Sequence, residues 1–304
     1  MMGRAADGAI GRGQSLARTP RALLSLGVLA GLVLAAIGAP LLAPHDPFDP
    51  ATLDLMNGFT APMTHNPYTG DLFWLGADDQ GRDVFSAILF GLRISLFVGM
   101  SAVALAAMLG VSLGLLAGYL GGWVDGLTMR AADVQLTFPA ILVAMLIFGV
   151  AKGITPVAYR DEMAIWVLIL AIGLSDWVPF ARVVRGAAMV EASRDYVLAA
   201  RLSGRSGPAI MLRHILPNVL SPVLVIATIG LAQAIVTEAT LSFLGIGAPP
   251  TQPSLGTLIR TGQSYLFSGE WWILAFPAAT LLALALAVNL LGDWLRDRLN
   301  PVLQ

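Results

Sequence analysis

The chemistry open to this chain is limited first by the side chains it lacks. It has no cysteine, which removes disulfides, thiolate metal ligands and cysteine nucleophiles. Histidine occurs only as His45, His65 and His214. The first two fall in one loop and the third in another, so a serine–histidine pair at one site is not expected. No His-Glu-x-x-His zinc motif is present. The single lysine, Lys152, stands between Ala151 and Gly153, so the Gly-Lys-Ser/Thr of a phosphate-binding loop is missing. Any ATP must be bound by another chain, and no cofactor is called for.

What remains is a few polar groups in unusual company. Glu238 lies inside a long apolar stretch, where a charge is costly and normally faces a partner or a wet cavity. It either lines a translocation path or is bonded to backbone or a neighbouring helix near an outer gate. The structural reading is preferred, because neutral groups suffice to line a path. It is also the only carboxylate expected deep in a span. Gln233 and Asn289 are read as hydrogen-bonding links between helices, with a place on the pathway as the sharper alternative. Asp78, Asp79 and Asp83 cluster beside Arg82 as a solvated acidic rim, alternatively a docking patch for a solute-binding protein or a metal site. Arg130 and Asp133, at i,i+3 spacing, are expected to pair locally.

The elements that must carry these groups follow from composition. Of 304 residues, 57% are hydrophobic and 12% charged, and mean hydropathy is +0.76. That composition points to lipid as solvent. Six stretches are long and apolar enough to span, near 22–42, 92–117, 133–151, 164–181, 218–246 and 272–292. None shows strand alternation, so a β-barrel is not expected. The Arg-rich start before the first span resembles a secretory leader. However, Ile37 and Pro40 around Ala39 make a poor cleavage site, and an uncleaved span is expected. Gly110, Gly114 and Gly118 form a small-residue stripe for close helix packing.

With a cytoplasmic N-terminus, thirteen of the eighteen cations fall in 1–21, 118–132, 182–217 and 293–304. Both termini are therefore placed inside. This divides the chain into a tail (1–21), a first span (22–42), an external loop (43–91) and a core (92–304). In the external loop, a short surface helix is expected from Asp78 toward the second span.

The longest inside loop, 182–217, reads as two short helices. Ser193 is expected to cap the first and Gly204 to stop it. Pro208 opens the second, which should end before Pro217. Ala199 and Ala200 leave a small-residue patch where another protein could approach.

Leu198-Ala199-Ala200-x-x-x-Gly204, followed by Arg213-His214-Ile215-Leu216-Pro217-Asn218, resembles the "EAA" loop of ABC importer permeases. Leu198 stands where Glu is usual and His214 where Ile is usual. Leu75-Gly76-x-Asp78-x-x-Gly81-Arg82-Asp83-x-x-Ser86 and Gly91-x-Arg93-x-Ser95-Leu96 fit the dipeptide/oligopeptide/nickel branch. So do Gly118-Tyr119-x-Gly121-Gly122-x-x-Asp125, Phe138-Pro139 and Glu238-Ala239-x-Leu241-Ser242-Phe243-Leu244-Gly245-x-Gly247.

The resemblance covers roughly residues 20 to 300 and suits the second, C-type permease of a heterodimeric pair. It implies an all-α, polytopic type I importer transmembrane domain. A homologous second permease, two ATP-binding subunits and a periplasmic or lipid-anchored solute-binding protein would be its partners in the bacterial cytoplasmic membrane, with no nucleic acid. It also implies that Ala199, Ala200, Arg201, Leu202, Gly204, Arg205 and Pro217 belong to the loop coupled to the ATPase. The solute stays open among dipeptides, oligopeptides, glutathione-like compounds, nickel chelates and opine-like compounds. A self-sufficient secondary carrier is the alternative, although neither an internal repeat nor an intramembrane charge pair supports it.

Overall fold

The computed structural model describes residues 20–48 and 53–299, so the N-terminal tail expected over 1–21 lies almost wholly outside the described residues. Helix α1 (Pro20–Ile37) opens on a proline, whose missing N–H is harmless in a first turn. Gly38 separates it from one further turn, α2 (Ala39–Leu42). Eighteen residues of α1 give about 27 Å of rise, close to the thickness of a bilayer's hydrocarbon core.

The segment that follows is compact, with a 3-10 turn at Leu55–Asn57 and a two-stranded antiparallel hairpin, β1 (Thr64–His65) with β2 (Leu72–Phe73). The surface helix expected from Asp78 does not form. Instead Asp83 caps a single 37-residue helix, α3 (Val84–Leu120), accepting a bond from the Ser86 N–H at 2.9 Å. At about 55 Å this helix is far longer than the expected span.

Helices α4 (Gly122–Leu136) and α5 (Ala140–Ile154) meet at 95°. The expected span 133–151 runs across this corner. The break falls at Phe138-Pro139, because a proline pushes its predecessor out of helical backbone. Helices α6 (Arg160–Ser175) and α7 (Trp177–Ala192) are bent by 42° at Asp176, which interrupts the expected span 164–181.

Then come α8 (Asp195–Leu202), α9 (Gly207–Ile210), a π-helical turn (Met211–Ile215) and α10 (Leu216–Phe243). The second loop helix does not end before Pro217. It runs on through the π turn, and Gly207–Phe243 is one apolar helix of 37 residues. Pro217 sits in the first turn after the π segment, where proline is tolerated. Helices α11 (Leu255–Tyr265) and α12 (Trp272–Leu299) complete the chain.

By length and apolarity the described residues hold three continuous spans, two bent pairs and the shorter apolar helix Ala22–Ile37. That is an all-α membrane protein with about six crossings. Leu34, Leu146, Leu224 and Leu282 stand exposed, as lipid solvation requires.

One apolar core joins α3, α5, α6, α7 and α10, and a second joins α1, α3, α10, α11 and α12. The glycine stripe works as packing. A Cβ on Gly114 would stand 2.5 Å from the Ala181 carbonyl, and one on Gly118 2.6 Å from that of Arg185, so α3 and α7 touch backbone to backbone. Gly110-Val111-Ser112-Leu113-Gly114 spells the Gly-x-Ser-x-Gly of hydrolases. Here it lies inside uninterrupted helix, with the Ser112 hydroxyl bonded to the Met108 carbonyl, so no strained turn presents a nucleophile.

Candidate coupling loop and transmembrane cavity

The loop between α7 and α10 is firm because its inner face is buried. On α8, Val197 and Ala200 point into the helix bundle, while Leu198, Ala199, Arg201 and Leu202 face outward. Leu202 is 91% exposed. Only half of the expected Ala199–Ala200 patch is therefore available, since Ala200 packs inward.

Ser193 does not cap α8. Its hydroxyl turns back to the Val190 carbonyl at 2.8 Å, and Arg194 takes the N-cap position with extended backbone and no side-chain cap. Gly204 does stop the helix, at a φ of 74°, a left-handed conformation that glycine adopts without steric cost. Arg201 lies over the Tyr119 ring at 4.8 Å, and a Cβ on Gly207 would meet that ring at 3.3 Å, so the loop sits against the end of α3. Arg205 is exposed.

A small polar network ties this loop to both flanking helices. The Tyr196 hydroxyl donates to Glu191 and accepts from Asn218 Nδ2 at 2.8 Å, which also donates to the His214 carbonyl at 2.8 Å. Burial, and then the bond to Glu191, push the Tyr196 phenol above its usual pKa. Tyr196 carried no polar signal in the sequence, being read only as compatible with helix.

Glu238 is fully buried on α10. Its carboxylate accepts from the Ser95 hydroxyl of α3 at 2.8 Å and from Ser242 at 2.7 Å. The Ser95 oxygen in turn accepts the Leu255 N–H at 3.2 Å, so Glu238 locks α3, α10 and α11 together. Gln233 and Asn289 are both exposed and make no hydrogen bond among the described residues, so neither links helices within this chain.

The acidic cluster is not a solvated rim. Asp78 is buried, paired with Arg82 at 2.8 Å and bonded to the N–H groups of Gln80 and Arg82. Burial raises its pKa, opposed by the Arg82 charge and those backbone bonds. Asp83 is the buried cap of α3. Asp79 receives the Tyr265 hydroxyl at 3.1 Å, and its charge raises the Tyr265 pKa. Arg130 and Asp133 do not pair. Asp133 reaches across to Arg182 on α7 at 2.5 Å, and Asp125 likewise binds Arg185, so two ion pairs fasten α4 to α7.

A cavity of about 590 Å³ opens between α3, the α6–α7 bend and α10. Its wall is mostly aliphatic, from Ala102, Val103, Ile172, Val183, Ile226 and Ile229, and its polar groups are Asp176, Arg182 and Gln233. Of the sequence candidates, only Gln233 lines it. Asp176 is a second carboxylate within a span and corrects the expectation that Glu238 stood alone. It sits inside the interval assigned to the fourth span, and the apolar run around it hid it.

Comparison with known proteins agrees with this architecture. Residues 110–303 match the family described as binding-protein-dependent transport system inner membrane component. Residues 14–69 match the N-terminal transmembrane domain of oligopeptide transport permease C. A Brucella suis protein named as a peptide transport system permease is 39% identical over 282 residues, covering 92% of this chain and 88% of its own length. The di/tripeptide permease DppC of Pseudomonas aeruginosa is 34% identical over 292 residues, covering 96% and 91%. The oligopeptide permease OppC of Bacillus subtilis is 33% identical over 284 residues, covering 93% and 86%.

The chain belongs to the family of inner membrane components of binding-protein-dependent transport systems. It is a multi-pass membrane permease subunit of an ABC importer, working with ATPase and substrate-binding partners, and it is not an enzyme.

Proposed function

We propose that this chain is one of two homologous permeases in an ATP-driven importer of peptides, and that it forms half of the translocation pathway. The relatives named for di-, tri- and oligopeptide transport support the substrate class. The observation that carries the coupling assignment is the outer face of α8. Leu198, Ala199 and Leu202 are exposed on a short helix whose inner face is anchored by Val197 and Ala200. Such a knob can fill a groove on an ATPase without deforming.

In this reading a second homologous permease completes the pore, two ATPases bind the loops, and a periplasmic or lipid-anchored binding protein delivers solute. Both termini are cytoplasmic. ATP binding draws the ATPases together and shifts the permeases between two packed states, through the difference in ATP affinity of those states. The acidic cluster gives no support to a docking role in this reading, since Asp78 pairs with Arg82, Asp83 caps α3 and Asp79 accepts the Tyr265 hydroxyl.

The test is to extract the chain gently from native membranes and identify what co-purifies by mass spectrometry. A second multi-span subunit together with P-loop ATPases is expected. Recovery of this chain alone, still transporting in vesicles without ATP, would establish a secondary carrier instead.

A further inference from the structure

Within the cavity the charged groups are arranged with some economy. Asp176 terminates α6 at the 42° bend and opens onto a mostly aliphatic wall. Among the described residues no ion pair reaches it, whereas Asp133 and Asp125 on α4 are paired with Arg182 and Arg185. A carboxylate in such a place is costly unless a cation comes to it. Asp176, Pro179, Phe180 and Val183 follow i, i+3, i+4, i+7 spacing and present one face of the bend to the cavity. Gln233 enters from α10 on the opposite side and supplies neutral donors and an acceptor.

Arg182 lines the same cavity farther along α7. Only its Nη2 is engaged, with Asp133, which leaves other guanidinium donors available. Six helical positions separate Asp176 from Arg182, or about 9 Å of rise. An extended chain spans at most about 3.3–3.6 Å per residue, so the termini of a di- or tripeptide lie about 7–11 Å apart. The cavity volume of about 590 Å³ falls within the usual range for sites that enclose a small ligand.

We infer that Asp176 is a substrate-recognition residue of the permease itself, receiving the α-ammonium of a short zwitterionic peptide while Arg182 takes its carboxylate. This rests on the peptide reading above and adds the place where the solute is held. Gln233 orients the peptide's backbone between the two charges. Solute selection then occurs twice, once on the binding protein and again within the membrane.

The experiment uses the co-purified transport assembly with its binding protein, reconstituted in ATP-loaded vesicles. The probes are alanyl-alanine for uptake and photoleucyl-alanine for cross-linking, whose photoreactive side chain is on the residue bearing the ammonium. In the wild type, cross-links should map by mass spectrometry to the 172–183 segment or to the facing residues near Gln233. Asp176→Asn should lower both uptake and cross-linking at least tenfold, while its partners still co-purify and hydrolyse ATP. Asp176→Glu should restore at least a third of the uptake.

Cross-links confined to other parts of the assembly would overturn the assignment even if Asp176→Asn failed to fold, because they are read on the wild type. Undiminished uptake by Asp176→Asn would overturn it too. If the wild-type assembly imports ATP-dependently but refuses alanyl-alanine in favour of another solute class, the peptide reading itself falls, and this site with it.

Discussion

At the scale of single residues, the buried carboxylate on α10 and the phenol beside Asp79 make different demands. Glu238 accepts two serine hydroxyls, so replacing it with leucine leaves Ser95 and Ser242 without an acceptor in a closed site. An unmet buried hydroxyl costs about 1–3 kcal/mol, so Glu238→Leu should unfold earlier in detergent. Glu238→Gln, which keeps an acceptor, should lose much less. Equal thermal stability of all three proteins would show that the bonds contribute nothing.

Tyr265 donates to Asp79, and that charge raises its pKa in the folded protein. Below the ordinary phenol pKa, near 10, the unfolded tyrosine is also neutral and the stabilisation is fully present. As pH rises further, the unfolded state ionises first and stability is lost up to the folded pKa. Wild type should therefore exceed Tyr265→Phe in unfolding temperature at neutral pH, and the gap should close above about pH 10. A gap that is flat in pH would contradict the bond.

At the scale of elements, the loop helix α8 carries the sharpest consequence. Because Ala200 faces inward, a bulky side chain there tests packing, whereas one at Ala199 tests docking. Ala199→Trp should leave insertion and thermal stability near wild type but reduce ATP-driven uptake at least tenfold. Gly204→Pro, which forbids the left-handed backbone at that position, should uncouple hydrolysis from uptake in the same assay. Normal transport by both variants would remove the coupling assignment.

Helix identity was legible from long apolar runs, but helix direction was not. Hydropathy cannot see that Pro139 turns the chain by 95°, since the apolarity of a segment carries no information about the direction of its backbone. Pro217 was read as a terminator because proline breaks helices in general. The π turn before it frees the backbone bond that proline cannot make, so the helix continues. Ser193 has a good capping side chain, yet it bonds backward into α7 instead.

At the scale of the whole molecule, topology is the proposition most open to direct measurement. The natural chain has no cysteine, so a single introduced one is an unambiguous reporter. Met63→Cys, at a site 75% exposed in the segment before α3, should react with an impermeant maleimide from outside intact cells. Leu202→Cys should react only after the cytoplasmic face is opened. Labelling of both from one side would refute the proposed orientation.

The membrane class and the loop motif were readable in the sequence because they rest on composition and local spacing. The cavity was not, because Asp176, Arg182 and Gln233 come together only when α7 and α10 are placed side by side. The buried Asp78 and Asp83 were misread although their partners, Arg82 and the first turn of α3, lie within four residues, because their burial is supplied only by the fold.

The uninterrupted run from Gly207 to Phe243 joins the loop, the cavity wall and the Glu238 anchor in one body. If that body swings about Glu238, its loop end lies about 46 Å from the pivot and Gln233 only about 8 Å. The helix is then a reduction gear of about six to one. A stroke of several ångströms at an ATPase becomes about 1 Å of jaw movement at the peptide, large enough to break hydrogen bonds and small enough to leave the surrounding packing whole.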